Sequence, residues 1–168
     1  MRFRLDPRVR TDEAGRFAWA EEVAEAVGQE ARGQGLAEDE VYYLGAAVRE
    51  ALLNALSHGR DPGGEPWVSV DVDCQPGFKL VVTVRDRGPG FDPQGVPDPR
   101  EPDRCSGSCG RGLFFMRRFT DRVSFAFPGL GGSRVRLEKL LPEPTGASNA
   151  STAGDASLPD RDRTSGSG

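Results

Sequence analysis

The chain has 168 residues, of which 36% are hydrophobic and 29% charged, with a net charge of −4. That is the size and balance of one ordinary domain with a real core. The acidic balance excludes broad nucleic-acid binding, which needs a basic excess to displace counterions.

No apolar run has the length of a membrane span. The first residues lack the apolar stretch of a secretory signal, and three cysteines, an odd number, fit reduced thiols, so a cytoplasmic setting is expected. In chain order, residues 2–6 alternate as a short strand ended by Pro7. From Thr11 to Arg32 the pattern is helical: Thr11 or Asp12 can cap it, Phe17, Ala20, Val23, Ala24, Val27 and Ala31 share a stripe, and Gly33 and Gly35 end it. A second helix is expected over 38–57. Val41, Leu44, Val48, Ala51, Leu52 and Ala55 form its apolar face, while Tyr43, Ala47, Glu50, Asn54 and His58 share a narrow sector opposite. A solvated face carries many Lys and Glu residues; a few short polar groups beside a small Ala47 suit a helix that lines a site.

Residues 59–66 read as a loop. The runs 67–73 and 78–86 form an antiparallel pair joined by Gln75-Pro76-Gly77. The stretch 87–110 holds five of the thirteen prolines and has the length of a functional lid. A short helix is expected over 112–119, then strands over 122–127 and 133–140. Residues 1–141 are thus the expected domain. The segment 142–168, with Leu158 its only large apolar residue, is expected to be a disordered tail. The aromatic residues read as dispersed core rather than as a stacking stripe.

Three short segments carry chemistry. Glu50 and Asn54, four apart, project from one helix face. Mg²⁺ keeps most of its waters and takes one or two protein oxygens, so the Asn54 carbonyl is a sufficient anchor. Glu50, one turn earlier, is placed to take a proton from an attacking hydroxyl. His58 reads first as the cap or end of this helix, with a place near the phosphates of such a site as its functional alternative. Asp86 follows a strand and can accept from an exocyclic amine such as that of adenine, with Gly88 and Gly90 letting the backbone approach a flat ring. Gly110-Arg111-Gly112-Leu113 opens a helix whose exposed N–H groups make an anion site, with Arg111 adding charge. Singly, each has a plain structural reading: a solvated helix face, a turn after a strand, a glycine-rich helix entrance. Cys105 and Cys109 lack the partners of a zinc site, and neither a Walker loop nor a dinucleotide fingerprint is present.

Together, Glu50-x-x-x-Asn54-Ala-x-x-His58-Gly59, Asp86-x-Gly88-x-Gly90-Phe91 and Gly110-Arg111-Gly112-Leu113-Phe-Phe-Met116 resemble the N, G1 and G2 boxes of the GHKL ATPase superfamily. Gly131-Gly132-Ser133-Arg-Val135 resembles its last box, with Ser133 in place of the usual Thr. The form of the boxes is most similar to the anti-sigma-factor serine-protein kinases. The resemblance implies an α+β, two-layer sandwich with helices on one face of a mixed, mostly antiparallel sheet. It implies ATP and Mg²⁺ as cofactors, Glu50 as catalytic base, Asn54 on the metal, Asp86 on adenine, and the Gly110/Gly112 segment on the phosphates. It further implies a STAS-type anti-sigma antagonist as the phosphorylated partner, with a sigma factor and a second copy of the chain as further candidate partners, and no direct nucleic acid or membrane. The competing reading is an ATP-ordered module that sequesters a sigma factor or other regulator without kinase turnover.

Overall fold

The computed structural model describes residues 1–4, 12–59, 67–90, 92–93, 95, 111–127 and 132–143. Asp12 caps the first helix, α1 (Glu13–Gly33), its Oδ1 accepting from the Gly15 N–H at 2.9 Å. Gly35, at φ 84°, reverses the chain after it. The Leu36 N–H then reaches Ala31 O at 3.1 Å and the Gly35 N–H reaches Arg32 O at 2.9 Å, the two bonds of a Schellman cap. Helix α2 (Glu38–His58) follows directly. It has no side-chain cap, and Glu38, Asp39 and Glu40 complement the positive end of its dipole instead. The two helices pack closely at Gly28, where a Cβ would lie 3.3 Å from Val41 Cγ1.

Five strands follow the expected alternation: β1 (Arg2–Arg4), β2 (Val68–Gln75), β3 (Lys79–Asp86), β4 (Arg122–Ala126) and β5 (Ser133–Leu140). Their order is β1-β2-β3-β5-β4, and every described pairing is antiparallel. A turn with Gly77 at φ 69° joins β2 to β3 and sets Gln75 opposite Lys79 and Val68 opposite Asp86. The third helix, α3 (Arg111–Phe119), lies between β3 and β4 in the chain. The fold is the expected two-layer α+β sandwich. One face of the sheet (Val70, Val72, Val82, Val84, Val135 and Leu137) packs against the helices in a single core. Leu44, Val48, Leu52 and Leu56 of α2 are at most 2% exposed, each worth about 1.5–3 kcal/mol by burial. No described helix is long and apolar enough to cross a membrane.

The other face of the sheet is charged. Asp71 pairs with Arg2 and Arg85, and the Arg2 guanidinium, then Arg85, holds its carboxyl below the usual range. Glu138 accepts from Lys79 Nζ at 3.0 Å and faces Arg136 Nε at 3.4 Å, with the same downward effect on its carboxyl. On the core side, Lys139 ties β5 to α2 through Glu40 at 2.8 Å. Burial opposes its charge, but Glu40 and Asp121 outweigh burial and raise its pKa.

The structure revises three expectations: Phe17, placed on the apolar stripe of α1, is 50% exposed. Ala47, placed in the narrow sector with the polar residues, is fully buried, between the contacts that α3 makes with α2 at either end. The aromatic residues are not all dispersed core. Tyr43 stacks on Phe119 (centroids 4.6 Å apart), Phe119 stacks on Phe115 (5.5 Å), and Phe114 and Tyr42 extend the row edge-on. Tyr42 is 72% exposed and Tyr43 43%. The rings come from helices far apart in sequence, so periodicity within one segment does not reveal the row. Of the expected elements, residues 5–6 and 11, most of 87–110 and all of 144–168 lie outside the described residues.

Candidate functional site

The apolar face of α2 fixes its rotation, and that rotation turns Glu50 and Asn54 toward α3. A Cβ built on Gly112 would lie 2.9 Å from Glu50 Oε2 and 3.0 Å from Asn54 Nδ2. Only a residue without a side chain lets the start of α3 come this close. The first turn of α3, whose N–H groups have no intrahelical acceptor, therefore abuts a carboxylate and an amide. Both side chains are half-buried, and neither forms an ion pair or hydrogen bond among the described residues. Polar groups so placed ordinarily find partners, so this pair suits a bound polar ligand. Neighbouring Arg49 turns away to α1, where Nη2 donates to Glu21 at 3.0 Å.

The end of α2 rests on the turn after β3. Gly59 is buried, and a Cβ on it would lie 2.2 Å from Ala55 O and 2.4 Å from Asp86 Cβ. One on Gly88 would lie 2.3 Å from His58 O. Asp86 Oδ1 accepts from the Gly88 N–H at 2.8 Å and the Ser133 N–H at 3.2 Å, and the Ser133 hydroxyl donates to Oδ2. These bonds lock the carboxylate and leave it lone-pair capacity for one more donor. Gly132, at φ 95°, donates its N–H to Gly88 O at 2.8 Å. Gly90, at φ 76°, would set a Cβ 2.7 Å from the Phe127 ring.

The structure thus joins Glu50, Asn54 and Gly112 in one cluster and Asp86, Gly88 and Ser133 in a second, with the last turn of α2 leading from one to the other. His58 is exposed on that turn and lends its backbone to the packing. Arg111 is exposed at the start of α3. Leu113 is 7% exposed in the core, so its backbone is what it can offer a ligand. Gly110 lies outside the described residues, as do Cys105 and Cys109. Three residues are absent from the set singled out by chemistry: Gly59, Gly132 and Phe127. Gly59 and Gly132 sit inside the quoted motifs; Phe127 carries no sequence signal.

The model of the histidine kinase-like ATPase domain matches residues 15–139, which spans both clusters. The chain belongs to this family. Its nucleotide is therefore ATP. The chain is 31% identical over 109 residues to an anti-sigma F factor of Heyndrickxia coagulans, covering 61% of this chain and 71% of that protein. Among solved structures it is similar to a mycobacterial sensor histidine kinase, MprB, at 24% identity and a TM-score of 0.44, covering 61% of this chain and 75% of that one.

Hard oxygen donors beside a helix start are a donor set that would suit Mg²⁺ with a polyphosphate. The ends of the Glu50 and Asn54 side chains both reach the start of α3, so the donors such a group would take stand together there.

Proposed function

We propose that the chain is an ATP- and Mg²⁺-dependent serine-protein kinase acting as an anti-sigma regulatory factor, with a STAS-type antagonist as its phosphorylated partner. The observation that carries this reading is the half-buried Glu50 and Asn54, without a partner among the described residues, against Gly112 at the start of α3. Asp86, held by Ser133 and Gly88, accepts from the exocyclic amine of adenine. Backbone N–H groups at the start of α3, with Arg111, bind the phosphates. The Asn54 carbonyl holds Mg²⁺, which when bound neutralises charge on the transferring phosphoryl group.

Glu50 takes the proton of the substrate serine hydroxyl. The serine oxygen then bonds to the γ-phosphorus as the bond to the β–γ bridging oxygen breaks, releasing ADP. The anti-sigma F factor among its relatives supports the regulatory setting. Incubation with labelled ATP and candidate antagonist proteins tests the reading: Glu50→Gln is expected to bind ATP and transfer no phosphate. Undiminished transfer in Glu50→Gln refutes the base assignment. ATP binding by the wild type with no phosphoprotein formed favours sequestration of a partner instead.

A further inference from the structure

β4 closes one end of the sheet, and among the described residues no strand pairs with its outer side. Such an edge presents unpaired backbone groups, and proteins ordinarily blunt it with proline, bulges or charge. β4 carries only Arg122 in that role, at its first position. On the outer face it then presents small Ser124 and Ala126, both exposed.

Behind these small residues stand arginines. Arg136 lies opposite Ser124 and Arg134 opposite Ala126, while Arg122 lies opposite Glu138. Arg134 also lies directly opposite Arg85 on β3, a like-charge pair that destabilises the sheet. It has no ion-pair partner among the described residues. Across the face, Arg2, Lys79, Arg85, Arg122, Arg134 and Arg136 outnumber Asp71, Asp73 and Glu138, although the whole chain carries −4. Asp71 and Glu138 are each already engaged by two cations.

We propose that the β4 edge, with Arg122, Arg134 and Arg136, docks an extended acidic segment of a partner protein as an added strand. Backbone hydrogen bonds to β4 give affinity, and acidic residues at alternate positions give specificity. A strand beside β4 stands two strand spacings, roughly 10 Å, from β5. Glu on that strand and Arg on β5 meet above Ser124 and Ala126, whose short side chains leave the path open. An acidic protein segment suits this surface better than nucleic acid, which cannot continue a β ladder.

The test uses the full chain and a fluorescein-labelled short peptide alternating Glu with Val, read by fluorescence anisotropy. Saturable, salt-sensitive binding is expected, weakened roughly tenfold by the double variant Arg134→Gln/Arg136→Gln. The same peptide N-methylated at every residue keeps its charge, loses its backbone donors and is expected not to bind. The proposal is overturned if the parent peptide fails to bind, if the N-methylated peptide binds as well as the parent, or if a folded double variant binds like the wild type. Tighter binding of a single-stranded oligonucleotide of equal charge also overturns it. Should the double variant fail to fold, the N-methylated peptide decides the matter on the wild-type chain.

Discussion

Replacing Gly112 with Ala sets stability against function. In a helix, Ala is favoured over Gly by about 0.5–1 kcal/mol. Against this, the new methyl group would lie 2.9 Å from Glu50 Oε2 and 3.0 Å from Asn54 Nδ2, closer than such groups pack. Both neighbours are the free ends of side chains, so they rotate away, and an off-rotamer side chain costs about 0.5–1.5 kcal/mol. The two effects nearly cancel, and the melting temperature is expected to stay within about 8 °C of the wild type. In the site nothing cancels, because a misplacement of ~1 Å costs roughly 100-fold in rate. Thermal melting, calorimetric titration with Mg·ATP and labelled-phosphate transfer together check this: the fold is retained, ATP affinity falls about tenfold or ~1.4 kcal/mol, and transfer falls further. A variant with wild-type ATP affinity and transfer refutes the geometry. One that no longer folds shows that the methyl group meets unyielding backbone rather than mobile side-chain ends.

The remaining predictions concern the frame around the site. Gly59→Ala puts a methyl group against Ala55 O and Asp86 Cβ, neither of which can swing away, so a loss of about 1–3 kcal/mol in denaturant unfolding is expected. Ser133→Ala removes a hydrogen bond to the Asp86 carboxylate from a buried position. It is expected to lower stability by about 1.5–3 kcal/mol and to weaken ATP binding, with Ser133→Thr restoring both. Asp71 and Glu138 both have lowered pKa values. Their stabilisation is therefore complete above the usual carboxylate range, about pH 4, and fades as pH falls through their lower folded values. Asp71→Asn/Glu138→Gln should accordingly flatten the acid limb of a stability-versus-pH curve; an unchanged slope there rules these pairs out as its source.

The helices and strands are legible in the sequence because their signals are local: the Asp12 cap, the Gly35 reversal, the alternation along β3 and β5. The candidate site is legible for a related reason, since Glu50, Asn54 and Asp86 lie at element positions that periodicity fixes. What stays hidden is contact between distant segments. Nothing near residue 59 in the chain says that it must touch Asp86. Likewise the Tyr43–Phe119 stack and the order of the strands arise only when α3 folds back on α2 and β5 enters between β3 and β4.

The ground around Asp86 is built from main chain. Gly59, Gly88 and Gly132 each sit where an added methyl group would lie within 2.6 Å of a neighbouring atom, so none of the three is free to vary. For a flat inhibitor lodged on this ground, escape by point mutation would be narrow: the residues it touches are those the fold cannot exchange. Resistance would have to arise at the rim, where Phe127 stands with 41% of its surface exposed.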